Sequence, residues 1–172
     1  ARIGMCIENM FREHLPEHVE TLSYHFKQGG AIDNAIIYLR LSGTKSLRRY
    51  AVEESHRYYQ EAFDLIQKLE INDANRSRRL VETLNAWFPV YYYRGRFGAA
   101  KKIMSAHLQQ VQSIEDRELR GMFYIGYGMC LWAQERFQEA YDYMQRALTT
   151  GHAIGSQRVE GYAHAWLTWV CF

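Results

Sequence analysis

Apolar residues recur along this chain at intervals of three and four, and no stretch alternates as a half-buried strand would. Ile3, Ile7, Met10 and Phe11 open the pattern; Leu84, Trp87 and Tyr91 continue it, as do Tyr124, Tyr127 and Leu131. Such spacing puts side chains on one face of an α-helix. The pattern predicts helices over 1–13, 17–28, 32–50, 52–69, 76–94, 97–112, 116–134, 137–150 and 156–172. The polar stretches 70–75, 113–116 and 150–156 read as loops. Only Pro16 and Pro89 interrupt, and Pro16 reads as a helix start.

Part of the pattern repeats. "RGRFGAAKKIMSAHL" (94–108) overlays "QERFQEAYDYMQRAL" (134–148) at an offset of 40. Arg96 matches Arg136, Phe97 matches Phe137, Ala100 matches Ala140, Met104 matches Met144 and Leu108 matches Leu148. Upstream, Leu84, Trp87 and Tyr91 fall level with Tyr124, Tyr127 and Leu131. Arg94, Gly95 and Arg96 supply a turn, and the small Ala100 lets a second helix approach the first. Fainter copies precede these: Leu22, Phe26, Ala35 and Leu39 around Gly29 and Gly30, then Leu39, Gly43 and Ser46 with Ser55, Tyr59 and Ala62. His164, Leu167 and Cys171 begin another copy. A helix hairpin of this kind cannot bury its apolar face alone, so hairpins must stack. The expectation is an all-α fold, an α-solenoid of stacked antiparallel hairpins forming one domain over 1–172. Helices near a linker and degenerate repeats occupy 1–69, two clearer repeats 76–150, and the first helix of a truncated repeat 156–172.

The repeat resembles the tetratricopeptide repeat. Tyr124, Tyr127-Gly128, Leu131, Ala140 and Met144 stand where that family carries its aromatic, Leu-Gly, Tyr, Ala and aromatic positions. Phe88 departs by replacing the small glycine, and a period of 40 is longer than usual. Residues 1–69, with "LPEH", "LSYHF", "AIIYLRLSG" and "YYQEAFDLI", resemble the segment after the nucleotide-binding domain in large signalling ATPases. Those proteins join adenylate or guanylate cyclase domains to such repeats, and transcription activators are among their relatives. The resemblance implies a cytoplasmic, non-catalytic protein-interaction and regulatory module of a signal-transduction protein, an ATPase-linked nucleotide cyclase. A transcription activator's regulatory domain is one alternative; a nucleic-acid-binding helical repeat is another.

Composition narrows these readings. A net charge of +2 and pI near 8.4 lack the basic excess of most DNA binders. No apolar run approaches a membrane span. Cys6, Cys130 and Cys171 form no Cys-x-x-Cys pair and are odd in number, which points to reduced, buried thiols. The chain opens inside a helical pattern without Met and stops at "AWLTWVCF", so it reads as a fragment of a longer chain whose uncapped ends, with Trp169 and Phe172, would self-associate.

Candidate chemistry is sparse. His14 and His18 are four apart, as metal ligands on a helix can be, but Pro16 lies between them and marks a helix start, so both read as solvated or packed histidines. "SGTKS" (42–46) lacks the glycines of a phosphate loop and falls in a helical pattern. "RSRR" (76–79) and Lys101-Lys102 read as solvated helix faces. No nucleophile–base pair, carboxylate pair or cofactor fingerprint emerges, so catalytic, metal and cofactor residues are each expected to be none. The tract "YYYRGRFGAA" (91–100) suggests base stacking at first. The repeat instead assigns Tyr91 to the core and Arg94 and Arg96 to the turn, leaving Tyr92 and Tyr93 without a core role.

The helix 116–134 carries a second apolar face, Met122, Ile125, Met129 and Trp132. A helix apolar all round is either buried or offers a binding face. By the offset of 40, Tyr92 falls level with Trp132, Trp169 with Met129 and Asn85 with Ile125. Pro89 removes the hydrogen bond to the Asn85 carbonyl. Asn85, Tyr92, Met129, Trp132, Tyr162 and Trp169 are thus candidates for an aromatic groove that holds a protein or peptide. The competing expectation is that packing buries this face.

Overall fold

The computed structural model describes residues 1–70 and 75–170. Helices and short turns account for them, with no strand among the described residues. The chain divides into two compact units, Ala1–Arg76 and Ser77–Phe172. In the first lie α1 (Arg2–Met10), a 3-10 turn (Arg12–His14), α2 (Leu15–Gln28), α3 (Ile32–Arg48) and α4 (Val52–Gln67). The second is built from α5 (Arg76–Tyr93), α6 (Phe97–Ser105), α7 (Leu108–Ser113), α8 (Arg117–Trp132), α9 (Phe137–Ile154) and α10 (Gln157–Val170).

Five helices end in the same way. A residue with positive φ follows α2, α3, α5, α8 and α9: Gly30, Tyr50, Gly95, Glu135 and Gly155, at φ of 72°, 58°, 62°, 61° and 65°. The next backbone N–H then reaches back five residues. Ala31 donates to Phe26, Ala51 to Ser46, Arg96 to Tyr91, Arg136 to Leu131 and Ser156 to Gly151, at 2.9–3.0 Å. This Schellman closure satisfies carbonyls that the helix end would orphan, and it turns the chain straight into the next helix. The left-handed residue is glycine at three of the five positions, where the missing Cβ removes the steric cost. Gly95 and Glu135 occupy equivalent places in the two clear repeats.

In the first unit, Leu22, Phe26, Ala35 and Leu39 are buried between α2 and α3. Phe26 stacks on Tyr38 at 5.4 Å, and Gly4 of α1 leaves room for the Phe26 ring. The Tyr38 hydroxyl donates to Glu8 at 2.6 Å, and Lys27 pairs with Glu61. Helices α3 and α4 approach closely through small residues. Gly43, Ser46, Ser55 and Ala62 are buried, and the Ser55 hydroxyl donates to the Gly43 carbonyl at 2.7 Å.

In the second unit most of the apolar repeat positions form the core, while Phe137 is exposed and Phe97, Leu108 and Leu148 are half-buried. Leu84, Trp87, Tyr91, Ala100 and Met104 are buried, and so are Tyr124, Tyr127, Leu131, Ala140 and Met144. Gly128 brings α8 against α9, where a Cβ would sit 2.9 Å from the Met144 Cε. Phe88, which replaces the equivalent glycine, packs against α8 at Gly126, beside Met104. The bulk moved in one repeat is thus matched by a glycine in the next helix. Asp116 caps α8 by accepting from the Leu119 N–H at 3.0 Å.

Several expectations are corrected. The helix expected over 97–112 breaks at Ala106 and His107 into α6 and α7. The stretch 150–156, read as a loop, is helical through Ile154. Gly151 there brings α9 within contact of Val159 and Glu160 on α10. Cys6 is exposed on α1 and not buried, whereas Cys130 is fully buried. Cys171, Phe172 and most of the loop at 70–75 lie outside the described residues.

Candidate aromatic groove

The second unit opens a groove of about 470 Å³, lined by Tyr92, Tyr93, Phe97, Met129, Trp132, Trp166 and Trp169. Its walls come from the last turns of α5, α8 and α10, closed by the first residue of α6. No charged side chain lines it among the described residues. The rings meet edge to face: Tyr92 lies 5.8 Å from Phe97 and 6.4 Å from Trp166, and Trp132 lies 6.3 Å from Trp166. Edge-to-face contact satisfies the ring quadrupoles and holds the walls in place. The surface remains open all the same, since Tyr92, Tyr93 and Trp169 are 44%, 59% and 65% exposed.

Of the six residues that the sequence grouped, the structure brings four into this groove: Tyr92, Met129, Trp132 and Trp169. Asn85 stands apart from it. Its side-chain amide donates to the Leu119 carbonyl at 2.9 Å, tying α5 to the start of α8. Tyr162 is exposed on α10 but does not line the groove. Along α8 the two expectations divide by depth. Ile125 is buried away from the groove, Met129 is buried yet lines it, and Trp132 is half-exposed at it.

Three lining residues were missed as groove members: Tyr93, Phe97 and Trp166. The offset of 40 sets Trp166 level with Gly126, so the repeat carried no signal for it. The spacing Tyr162, Trp166, Trp169 on one helix face did.

The remaining candidates resolve into local contacts. Burial pushes the Tyr91 hydroxyl up to about 12 against the opposing pull of Arg94 and Arg96. Tyr91 is therefore core, and of the three tyrosines only Tyr92 and Tyr93 face outward. His14 lies 3.3 Å from the Glu17 carboxylate, and the His18 ring packs on Phe11. Among the described residues no cluster of His, Cys, Asp and Glu could hold a metal. "SGTKS" lies within α3, where Ser42 donates to the Tyr38 carbonyl, so no phosphate loop forms. Arg78 pairs with Glu82 at 3.0 Å and with Asp116 at 3.1 Å. No described helix is long and apolar enough to cross a membrane. Compared with protein-family models and with curated proteins, the chain matches none.

Proposed function

We propose that this chain is a tetratricopeptide-type helical repeat that binds a protein or peptide in the aromatic groove of its second unit. The observation that carries the reading is the origin of the groove. Five of its six aromatic side chains come from α5, α8 and α10, which the 40-residue repeat reads as first helices of successive hairpins, and the sixth is Phe97 at the start of α6. First helices line the binding face in repeats of this type, and a wall of Tyr, Trp and Met suits an apolar peptide. The module is non-catalytic and cytoplasmic. It belongs to a signalling protein resembling an ATPase-linked nucleotide cyclase, where a bound partner biases neighbouring domains. A peptide library selected on the chain, then counter-selected on Trp132→Ala with Trp169→Ala, tests this reading. Enrichment of apolar peptides that the variant fails to hold supports it. Peptides indifferent to the variant, or salt-sensitive oligonucleotide binding in their place, overturn it.

A further inference from the structure

A second groove, of about 380 Å³, lies in the first unit between α2 and α3. Its floor is apolar: Leu15, Pro16 and Val19 from α2, and Ile37 and Leu41 from α3. Ile37 and Leu41 are 48% and 46% exposed, one helical turn apart on the same face. Farther along α3 the lining turns cationic, with Lys45, Arg48 and Arg49. Lys45 is already engaged, 2.7 Å from the Glu20 carboxylate and 3.3 Å from the Glu17 carbonyl. Arg48 and Arg49 are exposed, and neither makes an ion pair among the described residues.

Last-turn arginines complement a helix's negative end, which accounts for a cation there. It does not account for the exposed apolar strip that leads to them. From Ile37 to Arg48 the strip spans about 16 Å at 1.5 Å per residue, or about three helical turns. A furrow between two helices accepts a third helix through residues spaced three and four, and unpaired guanidiniums at its end call for carboxylates. We propose that this groove docks an acidic amphipathic helix of about three turns, with leucine-like residues on the floor and its acidic flank against Arg48 and Arg49. The site lies in Ala1–Arg76 and does not depend on the aromatic groove.

Three labelled peptides test it against the full 172-residue chain by fluorescence anisotropy. The first has leucines spaced three and four with glutamates between them. The second replaces each glutamate by lysine, and the third replaces each leucine by serine. The glutamate–leucine peptide should bind, weaken as salt rises, and lose at least about tenfold in affinity on Arg48→Glu with Arg49→Glu. Leu41→Asp should abolish binding. Arg48 and Arg49 are exposed and Leu41 is half-exposed, so each variant should stay folded with only a modestly lowered thermal melt, the arginine reversal giving up favourable charge at the helix end. Equal binding of the lysine peptide, or an unaffected arginine variant, would overturn the proposal. So would affinity for anionic lipid vesicles without affinity for the peptide, or a concentration-dependent dimer that Leu41→Asp dissolves, each naming a different occupant.

Discussion

Gly43 and Tyr59 meet across the α3–α4 hairpin so closely that a Cβ on Gly43 would lie 2.9 Å from two carbons of the Tyr59 ring. The ring is buried and its hydroxyl is held 2.8 Å from the Thr44 hydroxyl, so it cannot swing away. Gly43→Ala should therefore destabilise the protein by about 1–3 kcal/mol through overpacking. The helix-propensity gain of up to about 1 kcal/mol offsets only part of this. Gly161 on α10 is the control, since nothing lies within 4 Å of its Cβ position. Gly161→Ala should raise stability by about 0.5–1 kcal/mol. Denaturant midpoints of the two variants must move in opposite directions.

The helix-end closures give a second expectation. Glu135 carries a side chain at φ 61°, where Gly95 stands in the preceding repeat. Left-handed backbone costs a non-glycine residue about 1–2 kcal/mol. Glu135→Gly should hold or raise the thermal midpoint, whereas Gly95→Ala should lower stability by about 1 kcal/mol or more. If Gly95→Ala proved neutral, the turn geometry assigned there would be wrong.

Thiol reactivity separates the two described cysteines. Burial pushes the Cys130 thiol up to about 12, so it stays protonated and unreactive near neutral pH. Cys6 is exposed on α1. Alkylation mapped by mass spectrometry should modify Cys6 quickly and Cys130 only after unfolding. The shift also carries a sign for stability. The folded state holds the proton more tightly, so the contribution is full below the ordinary thiol value of 9.0 and is lost as pH rises toward about 12. Tyr91 shifts in the same direction, and chemical denaturation should become easier across that window.

How much was legible in the sequence differs by element. Most core positions of both clear repeats were, because burial forces apolar residues onto a fixed helical period and the offset of 40 doubled the signal; the matched pair Leu108 and Leu148 is only half-buried. The turn at Gly95 was legible because glycine marks positive φ. Tyr50 and Glu135 take the same backbone without such a residue, since the flanking helices impose it. The break at Ala106 and His107 has neither glycine nor proline to mark it. Gly151 suggested a loop yet serves helix packing against Val159. Asn85 shared a register position with Ile125 and was assigned to the groove on that ground; its amide instead bonds Leu119. Register fixes which face a residue occupies, but how far along the helices a groove opens depends on packing among α5, α8 and α10.

An aromatic surface built for binding is not needed for folding. Trp87 is its internal reference, fully buried, and Trp87→Ala should cost about 3–5 kcal/mol. The direct measurement is a paired one on Tyr93→Ala with Trp169→Ala: unfolding free energy by denaturant, and affinity for the library-selected peptide by titration. If the groove binds, affinity should fall at least about tenfold while stability changes by less than about 1 kcal/mol. Retained affinity, or a fall in stability approaching that of Trp87→Ala, would contradict it.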